Sequence, residues 1–361
     1  MTSSPKVIIE KLVHGGMGLA RLEGKACFVE GGLPGEQVSI QIVSQKQKHL
    51  SAVVTEIHEA SPDRVTPPCP YFSRCGGCQW QHFNYAAQLQ WKQFILEETL
   101  EKIGGVASPT VLPTIPAPKT ENWRSRVIIH SDGHGKVGFY EPNSRKVVDI
   151  DQCLIATDRV NAQLQVAREK MRDTKGDLEL RDDGNAGFSQ ANQLQNENLR
   201  KLVLEWAQSI PHDFIFELFC GSGNFTRDLI LIAKKVVAVD CVEEAIADAR
   251  RSINPEVGRG QVEFLCGDAA QVFRRYVIDQ PLDLLVLDPP RDGCGRMVEG
   301  VLKHRPKNIL YVSCNPATLA RDVKFLQKFA CYRLVQTQPV DMFPHSYHIE
   351  SLTWLCEHPL P

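Results

Sequence analysis

Apolar and polar positions alternate through the first sixty residues, as in "VIIEKLVHGGMGLARLEGKACFVEGGLPGEQVSIQIV", with Gly-Gly and Leu-Pro-Gly turns between the runs. A period of two broken by tight turns predicts a small all-β barrel of short strands over residues 1–60. Ser61-Pro62 and Pro67-Pro68 close that unit and open a loop-rich stretch carrying three cysteines. The period then lengthens: "YAAQLQWKQFILEETLEKI" predicts a helix over 85–103, stopped by Gly104-Gly105. The prolines of "SPTVLPTIPAP" read as a linker. "WRSRVIIHSDGHGKVGFYEPNSRKVVDIDQC" reads as a second β-rich patch that ends on a fourth cysteine.

From about residue 212 the rhythm is α/β. Apolar runs at "FIFELF", "KVVAVD", "VEFLCGD", "LDLLVLD" and "NILYVS" alternate with helical segments, which predicts a doubly wound, mostly parallel sheet. The tail "YRLVQTQPVDMFPHSYHIESLTWLCEH" fits two further strands around a loop, at an antiparallel edge. The chain thus divides into a barrel at 1–60, a central cysteine-bearing domain at 61–187 and an α/β domain at 188–361, on which helix 85–103 packs. At 361 residues, two or three domains are expected.

Charge and apolar content exclude some classes. The net charge of −2 argues against a protein that coats nucleic acid over its whole surface, and leaves room for a local basic groove. The longest apolar runs are too short to cross a bilayer and no signal peptide opens the chain, so the expectation is a cytoplasmic protein with no membrane partner and no obligate protein partner.

"FELFCGSGNFT" (216–226) is a strand, a glycine-bearing turn and a helix start. Gly221 and Gly223 let backbone approach a ligand, and the helix offers free N–H groups to an anion. Asp240 and Asp268 end the next two strands, where a carboxylate can accept from ribose hydroxyls. The turn lacks the third glycine of the dinucleotide fingerprint, so S-adenosylmethionine fits better than NAD. Asp288 ends the fourth strand on a rigid Pro-Pro turn, and Cys314 in "LYVSCNPATLARD" ends the fifth.

A thiol there suits methylation at C5 of a pyrimidine. Thiolate attack on C6 makes C5 nucleophilic, and a base must later remove the C5 proton. Glu350 in "HIES" is a candidate base, with Asp288 and Gln190 as polar contacts to the ring. Helix-start N–H groups after Asn315-Pro316 would favour the thiolate. Spacing alone cannot bring Glu350 to Cys314.

Of twelve cysteines, Cys69, Cys75 and Cys78 crowd one loop, with Cys153 far behind. Such a set suits either zinc or an iron–sulfur cluster. Paired C-x2-C knuckles of a zinc ribbon are lacking, as is the C-x3-C-x2-C of radical enzymes. The other eight are expected to behave as small buried hydrophobes.

"YVSCNPATLARD", "LDPPRDG", "FELFCGSGNFT", "GFSQAN" and "HIES" together resemble the RNA 5-methyluridine methyltransferases, the bacterial 23S rRNA enzymes and their tRNA uridine-54 relatives, over nearly the whole chain. The resemblance implies a Rossmann-like class I methyltransferase domain, with Cys314 as nucleophile and Glu350 as general base. It implies a cofactor site of Gln190, Phe219, Asn224, Asp240, Asp268 and Asp288. The family often has glutamate at the place of Asp240, asparagine or aspartate at that of Asp268, and Pro-Ala where Pro289-Pro290 stands. It further implies a [4Fe–4S] cluster on Cys69, Cys75, Cys78 and Cys153, in a structural or RNA-docking role. The barrel resembles a TRAM domain, an OB-like RNA-binding module, with Phe28 and "SQKQKHL" (44–50) as its RNA contacts. The expected substrate is 23S rRNA, with uridine 54 of tRNA as the alternative. An iron–sulfur RNA-binding protein without methyl transfer is the reading from another class.

Overall fold

The computed structural model describes residues 4–182, 190–254, 258 and 260–358. The chain forms two compact units: Met1–Ile95, Lys119–Asp183 and Phe343–His348 in one, Leu96–Pro118, Gly184–Met342 and Ile349–Pro361 in the other. The expected boundary at 187/188 lies outside the described residues. Among the described residues no helix is long and apolar enough to cross a membrane.

The first unit opens with β1 (Lys6–Ile8), β2 (Lys11–Leu12), β3 (Gly18–Leu22), β4 (Lys25–Glu30), β5 (Gln37–Gln45) and β6 (His49–Glu59), in the order β1-β5-β6-β4-β3-β2. Only the β4–β6 pair is parallel. Inward positions of the alternating pattern, among them Ile9, Cys27, Val29, Val38 and Ile40, form its core. Buried Glu36 accepts the N–H groups of Leu33 (2.8 Å) and Ser61 (3.2 Å) and the Arg64 guanidinium (2.5 and 2.8 Å). Burial alone would raise this carboxyl's pKa; Arg64 and the two amides outweigh it and hold it low. Phe28 is half-buried against the edge of His49, 5.6 Å away, and 44–50 is the hairpin joining β5 to β6.

Helix α1 (Tyr85–Lys102) is shared: its residues up to Ile95 belong to the first unit and those from Leu96 to the second. In the first unit, β7 (Arg126–Ser131), β8 (Val137–Tyr140), β9 (Val147–Asp149), α2 (Asp158–Met171) and β10 (Gly176–Arg181) follow. The antiparallel sheet β10-β7-β8-β9 packs Val127, Ile129 and Val148 against Val160, Leu164 and Ala167 of α2.

The second unit continues with α3 (Gln193–Gln208), β11 (Phe214–Leu218), α4 (Thr226–Leu229), β12 (Lys235–Asp240), α5 (Glu243–Ser252), β13 (Gln261–Cys266), α6 (Ala269–Arg275), β14 (Leu284–Leu287), α7 (Val298–His304), β15 (Asn308–Ser313), α8 (Pro316–Ala330), β16 (Tyr332–Val340) and β17 (Glu350–Glu357). Its seven strands run β13-β12-β11-β14-β15-β17-β16, the first five parallel and β17 antiparallel to both neighbours. Every residue of β11, β14 and β15 is buried, as continuous apolar runs in a doubly covered sheet require. Leu96 and Leu100 sit in the same core as Phe214, Phe216 and Leu285.

Two readings change. "SPTVLPTIPAP" is not a free linker: Val111 and Ile115 bridge Thr337 and Val340, so the segment lines the edge strand β16. Leu112 N donates to Thr337 O and Ile115 N to Pro339 O, both at 2.9 Å. An edge covered this way offers no row of open backbone groups. Of the scattered cysteines, Cys27, Cys220 and Cys294 are buried as expected, but Cys241 and Cys266 at the carboxyl ends of β12 and β13 are exposed.

Candidate active site and cysteine cavity

Strand order gathers the chemistry at one edge. Residues after β11, β12, β13, β14 and β15 all emerge at the carboxyl end of the parallel sheet, the usual crevice of open α/β folds. The antiparallel β17 adds its first residue there. Ser313 pairs with Ser351, so Cys314, one step past β15, stands beside Glu350 at the start of β17. Ser351 Oγ donates to Ser313 O at 3.4 Å, tying the two strand ends.

The turn after β11 is built for close approach. Phe219, Gly221 and Gly223 have φ of 66°, 54° and 83°. At Gly223 a Cβ would lie 2.4 Å from Ile253 Cδ1, so glycine is required there both by φ and by space. Asp240 holds this turn in place: one carboxylate oxygen accepts Gly221 N–H (2.8 Å), the other Val242 N–H (2.9 Å). The Asn224 amide is fully engaged with Asn196 of α3, each donating to the other (2.9 and 3.0 Å). Its side chain therefore fixes the turn, and its backbone N–H closes it on Cys220 O at 3.4 Å. Asp268 is exposed and caps α6, accepting Gln271 N–H at 2.9 Å. Gln190 is half-buried, two residues before Asn192, the N-cap of α3. The first three residues of "GFSQAN" lie outside the described residues.

Acids dominate the crevice. Burial first, then the charge of Asp240, pushes Asp288 up to about 7. Glu350 is raised well above its ordinary value by burial and then by Asp288, with Arg291 opposing. Glu217, which the motif reading passed over, is 1 % exposed on β11. Burial raises it to about 8; Thr226 Oγ1 donates to one oxygen at 2.5 Å while the other has no partner among the described residues. Crowded, dry carboxyls hold protons until a cation arrives. A sulfonium is such a cation, so these residues fit S-adenosylmethionine.

Cys314 differs from expectation. Burial, then the charge of Glu350, raises the thiol to about 11, against the pull of Arg291. Helix α8 does start at Pro316, with Asn315 as N-cap, but Asn315 Oδ1 itself takes the Ala317 N–H (3.1 Å). With the Ala317 N–H taken by its own cap and two carboxyls beside it, the free thiol is raised rather than lowered.

The four remaining cysteines belong to the first unit. Cys69, Cys75, Cys78 and Cys153 line one cavity of about 380 Å³, together with Arg124. Cys153 is fixed by Asn161, which accepts its N–H (2.9 Å) and donates to its carbonyl (3.0 Å). Cys69 N–H donates to Gln81 Oε1 at 3.2 Å. Burial drives the Cys78 thiol up to about 12 and raises Cys75 and Cys153, while half-buried Arg124 draws Cys75 and Cys153 down. Among the described residues no three Cys, His, Asp or Glu converge tightly enough for a single metal ion. Four thiols and the half-buried Arg124 guanidinium thus share one cavity.

A sheet of five parallel strands closed by an antiparallel pair, with a glycine turn and acidic strand ends at its crevice, is the class I S-adenosylmethionine-dependent methyltransferase architecture. A model described as tRNA (uracil-5-)-methyltransferase matches residues 151–358, and a TRAM domain model matches residues 6–55. The chain belongs to the tRNA (uracil-5-)-methyltransferase family: it is an S-adenosylmethionine-dependent RNA uracil-C5 methyltransferase with an N-terminal TRAM domain. The 23S rRNA (uracil(1939)-C(5))-methyltransferase RlmD of Histophilus somni is 31% identical over 96% of this chain and 94% of its own length. An RNA methyltransferase of Bdellovibrio bacteriovorus is 32% identical over 98% and 95%. The tRNA (uracil-54, C5)-methyltransferase of Pyrococcus abyssi, solved with S-adenosyl-L-homocysteine, superposes with a TM-score of 0.73 over 97% of this chain and 100% of that one, at 25% identity.

Proposed function

We propose that this protein methylates C5 of one uridine in 23S rRNA, using Cys314 as nucleophile and Glu350 as base. The observation that carries the mechanism is the β15–β17 register, which sets a thiol and a buried carboxyl side by side at the cofactor crevice. Gln190, Phe219, Gly221, Gly223, Asn224, Asp240, Asp268 and Asp288 hold the cofactor. When bound, S-adenosylmethionine supplies the methyl group from its sulfonium.

The Cys314 thiolate bonds to C6, and the C5=C6 electron pair moves through C5 towards O4 as an enolate, making C5 nucleophilic. Asp288, beside Cys314, and Gln190 hold the ring by its polar edge. Once C5 carries the methyl group, Glu350 takes the C5 proton. The electron pair left behind rebuilds C5=C6 and expels the thiolate. A uridine inside structured RNA must leave its stack to reach Cys314.

The rRNA assignment follows the RlmD relatives, alignable over nearly their full length. The second reading, uridine 54 of tRNA, is favoured by the full-length likeness to the Pyrococcus enzyme. We further infer a [4Fe–4S] cluster on Cys69, Cys75, Cys78 and Cys153, in a structural or RNA-docking role, and a cytoplasmic location. Nucleoside mass spectrometry decides the substrate. Unmodified 23S rRNA and tRNA are incubated separately with S-adenosylmethionine and either the protein or Cys314→Ala. New 5-methyluridine in rRNA alone, absent with the variant, is expected; 5-methyluridine in tRNA alone overturns the rRNA reading.

A further inference from the structure

Side chains of α8 clamp the loop that follows β14. Asn315 Nδ2 and Thr318 Oγ1 both donate to the backbone carbonyl of Arg291, at 3.2 and 3.1 Å. Arg321 Nη2 donates to Asp292 O at 2.7 Å. Buried Asp322 accepts Cys294 N–H (2.7 Å) and Tyr311 O–H (2.9 Å) on one oxygen and Arg321 on the other. Gly293, at φ +81°, comes so near that a Cβ would lie 2.4 Å from that Asp322 oxygen. The backbone of Arg291 is therefore fixed against the same helix start that carries Cys314.

Its side chain is left open. Arg291 is exposed, and its guanidinium makes no hydrogen bond or ion pair with the described residues, whereas neighbouring Arg321 is spent on Asp322. The charge of Arg291 acts on Cys314 and on Glu350, in each case against burial and the neighbouring acids. A guanidinium stays charged at every relevant pH, so its pull does not lapse as the carboxyls titrate.

We propose that Arg291, its backbone held at the start of α8, supplies the cation that favours the thiolate of Cys314 for attack on the pyrimidine, a role that rests on Cys314 being the nucleophile. Without it, no neighbouring charge opposes burial, Glu350 and Asp288, and only a backbone N–H still favours the thiolate. Lysine keeps the charge and glutamine does not, which separates electrostatics from packing.

The test is the rate of Cys314 alkylation by iodoacetamide, resolved by peptide mass spectrometry between pH 7 and 10, for the wild type, Arg291→Lys and Arg291→Gln. Below the thiol's midpoint the rate follows the thiolate fraction, about tenfold for each pH unit by which the midpoint moves. The Gln variant is expected to alkylate about tenfold more slowly across that range, with the Lys variant near the wild type and kcat for methyl transfer falling in parallel. Superimposed alkylation curves for the wild type and the Gln variant, with S-adenosylhomocysteine binding intact, overturn the proposal. Because alkylation needs no turnover, this outcome is distinct from failure of the nucleophile reading, which methylation by Cys314→Ala would bring about.

Discussion

Binding of S-adenosylmethionine should release protons from the crevice, and its affinity should rise with pH. Asp288 sits near pKa 7 because burial and then Asp240 disfavour its charge. A cationic donor favours the ionised carboxylate, so the protonated form must give up its proton on binding. The sign follows. Affinity climbs as pH rises towards the free-protein value near 7, then levels once Asp288 is already ionised. For one group at that value, about 9% is ionised at pH 6 and about 76% at pH 7.5, so binding should tighten about eightfold between them. Glu217, raised to about 8, steepens the curve if it too ionises. Isothermal calorimetry at each pH, in two buffers of different ionisation enthalpy, yields both the affinity and the protons released. S-adenosylhomocysteine carries the same amino and carboxylate groups without the sulfonium charge and should show a flatter slope. Asp288→Asn should flatten the curve for the cation. Equal affinity at both pH values, or an unchanged slope in Asp288→Asn, would refute the reasoning.

Three further outcomes are expected. Glu350→Gln keeps the nucleophile but removes the base, so a covalent protein–RNA adduct should accumulate on denaturing gels; rapid turnover without adduct would assign the base elsewhere. Gly223→Ala forces a side chain at φ +83° into Ile253 and should cost about 1–3 kcal/mol of stability together with cofactor affinity, read by thermal denaturation with and without S-adenosylhomocysteine. Cys78→Ser should lose iron and visible absorbance while the second unit still binds S-adenosylhomocysteine; retention of the full iron content would remove Cys78 from the ligand set.

The parallel strands were legible because short apolar runs such as VVAV of β12 and LLVL of β14 end on Asp and alternate with helical segments, although β11 and β13 each carry a glutamate. Helices α2 and α3 were not: both are mostly polar, bury one narrow stripe and depend on their sheets for stability. The segment 108–118 looked like a linker because four prolines obscure a strand pattern. Proline is tolerated at an edge, where the residues between the prolines can still bridge β16. Candidate site residues could be named by type at strand ends, but the contacts they make could not. Nothing in "CGSGNFT" says that Asn224 pairs with Asn196, or that Asp240 spends both oxygens on backbone amides.

An antiparallel edge was legible in the tail; its register, with β17 paired directly to β15, was the decisive missing step, since it places Glu350 beside Cys314 and so creates a conflict of charge. The carboxyls that would attract a sulfonium are the same groups that keep the thiol protonated. On the reading proposed here, that conflict has a use. Without the donor, Cys314 is a poor nucleophile and adds to a pyrimidine slowly. With a cation seated among Asp288 and its neighbours, the negative charge opposing ionisation is offset, and Arg291 then tips the thiol towards thiolate. Attack on the RNA base thus becomes conditional on the methyl group being present. The order is testable in one step: adduct formation with 5-fluorouridine-containing RNA should be slower with no cofactor than with sinefungin, a donor analogue that bears a cationic amine in place of the sulfonium. Equal rates would show that the acids of the crevice do not govern the thiol.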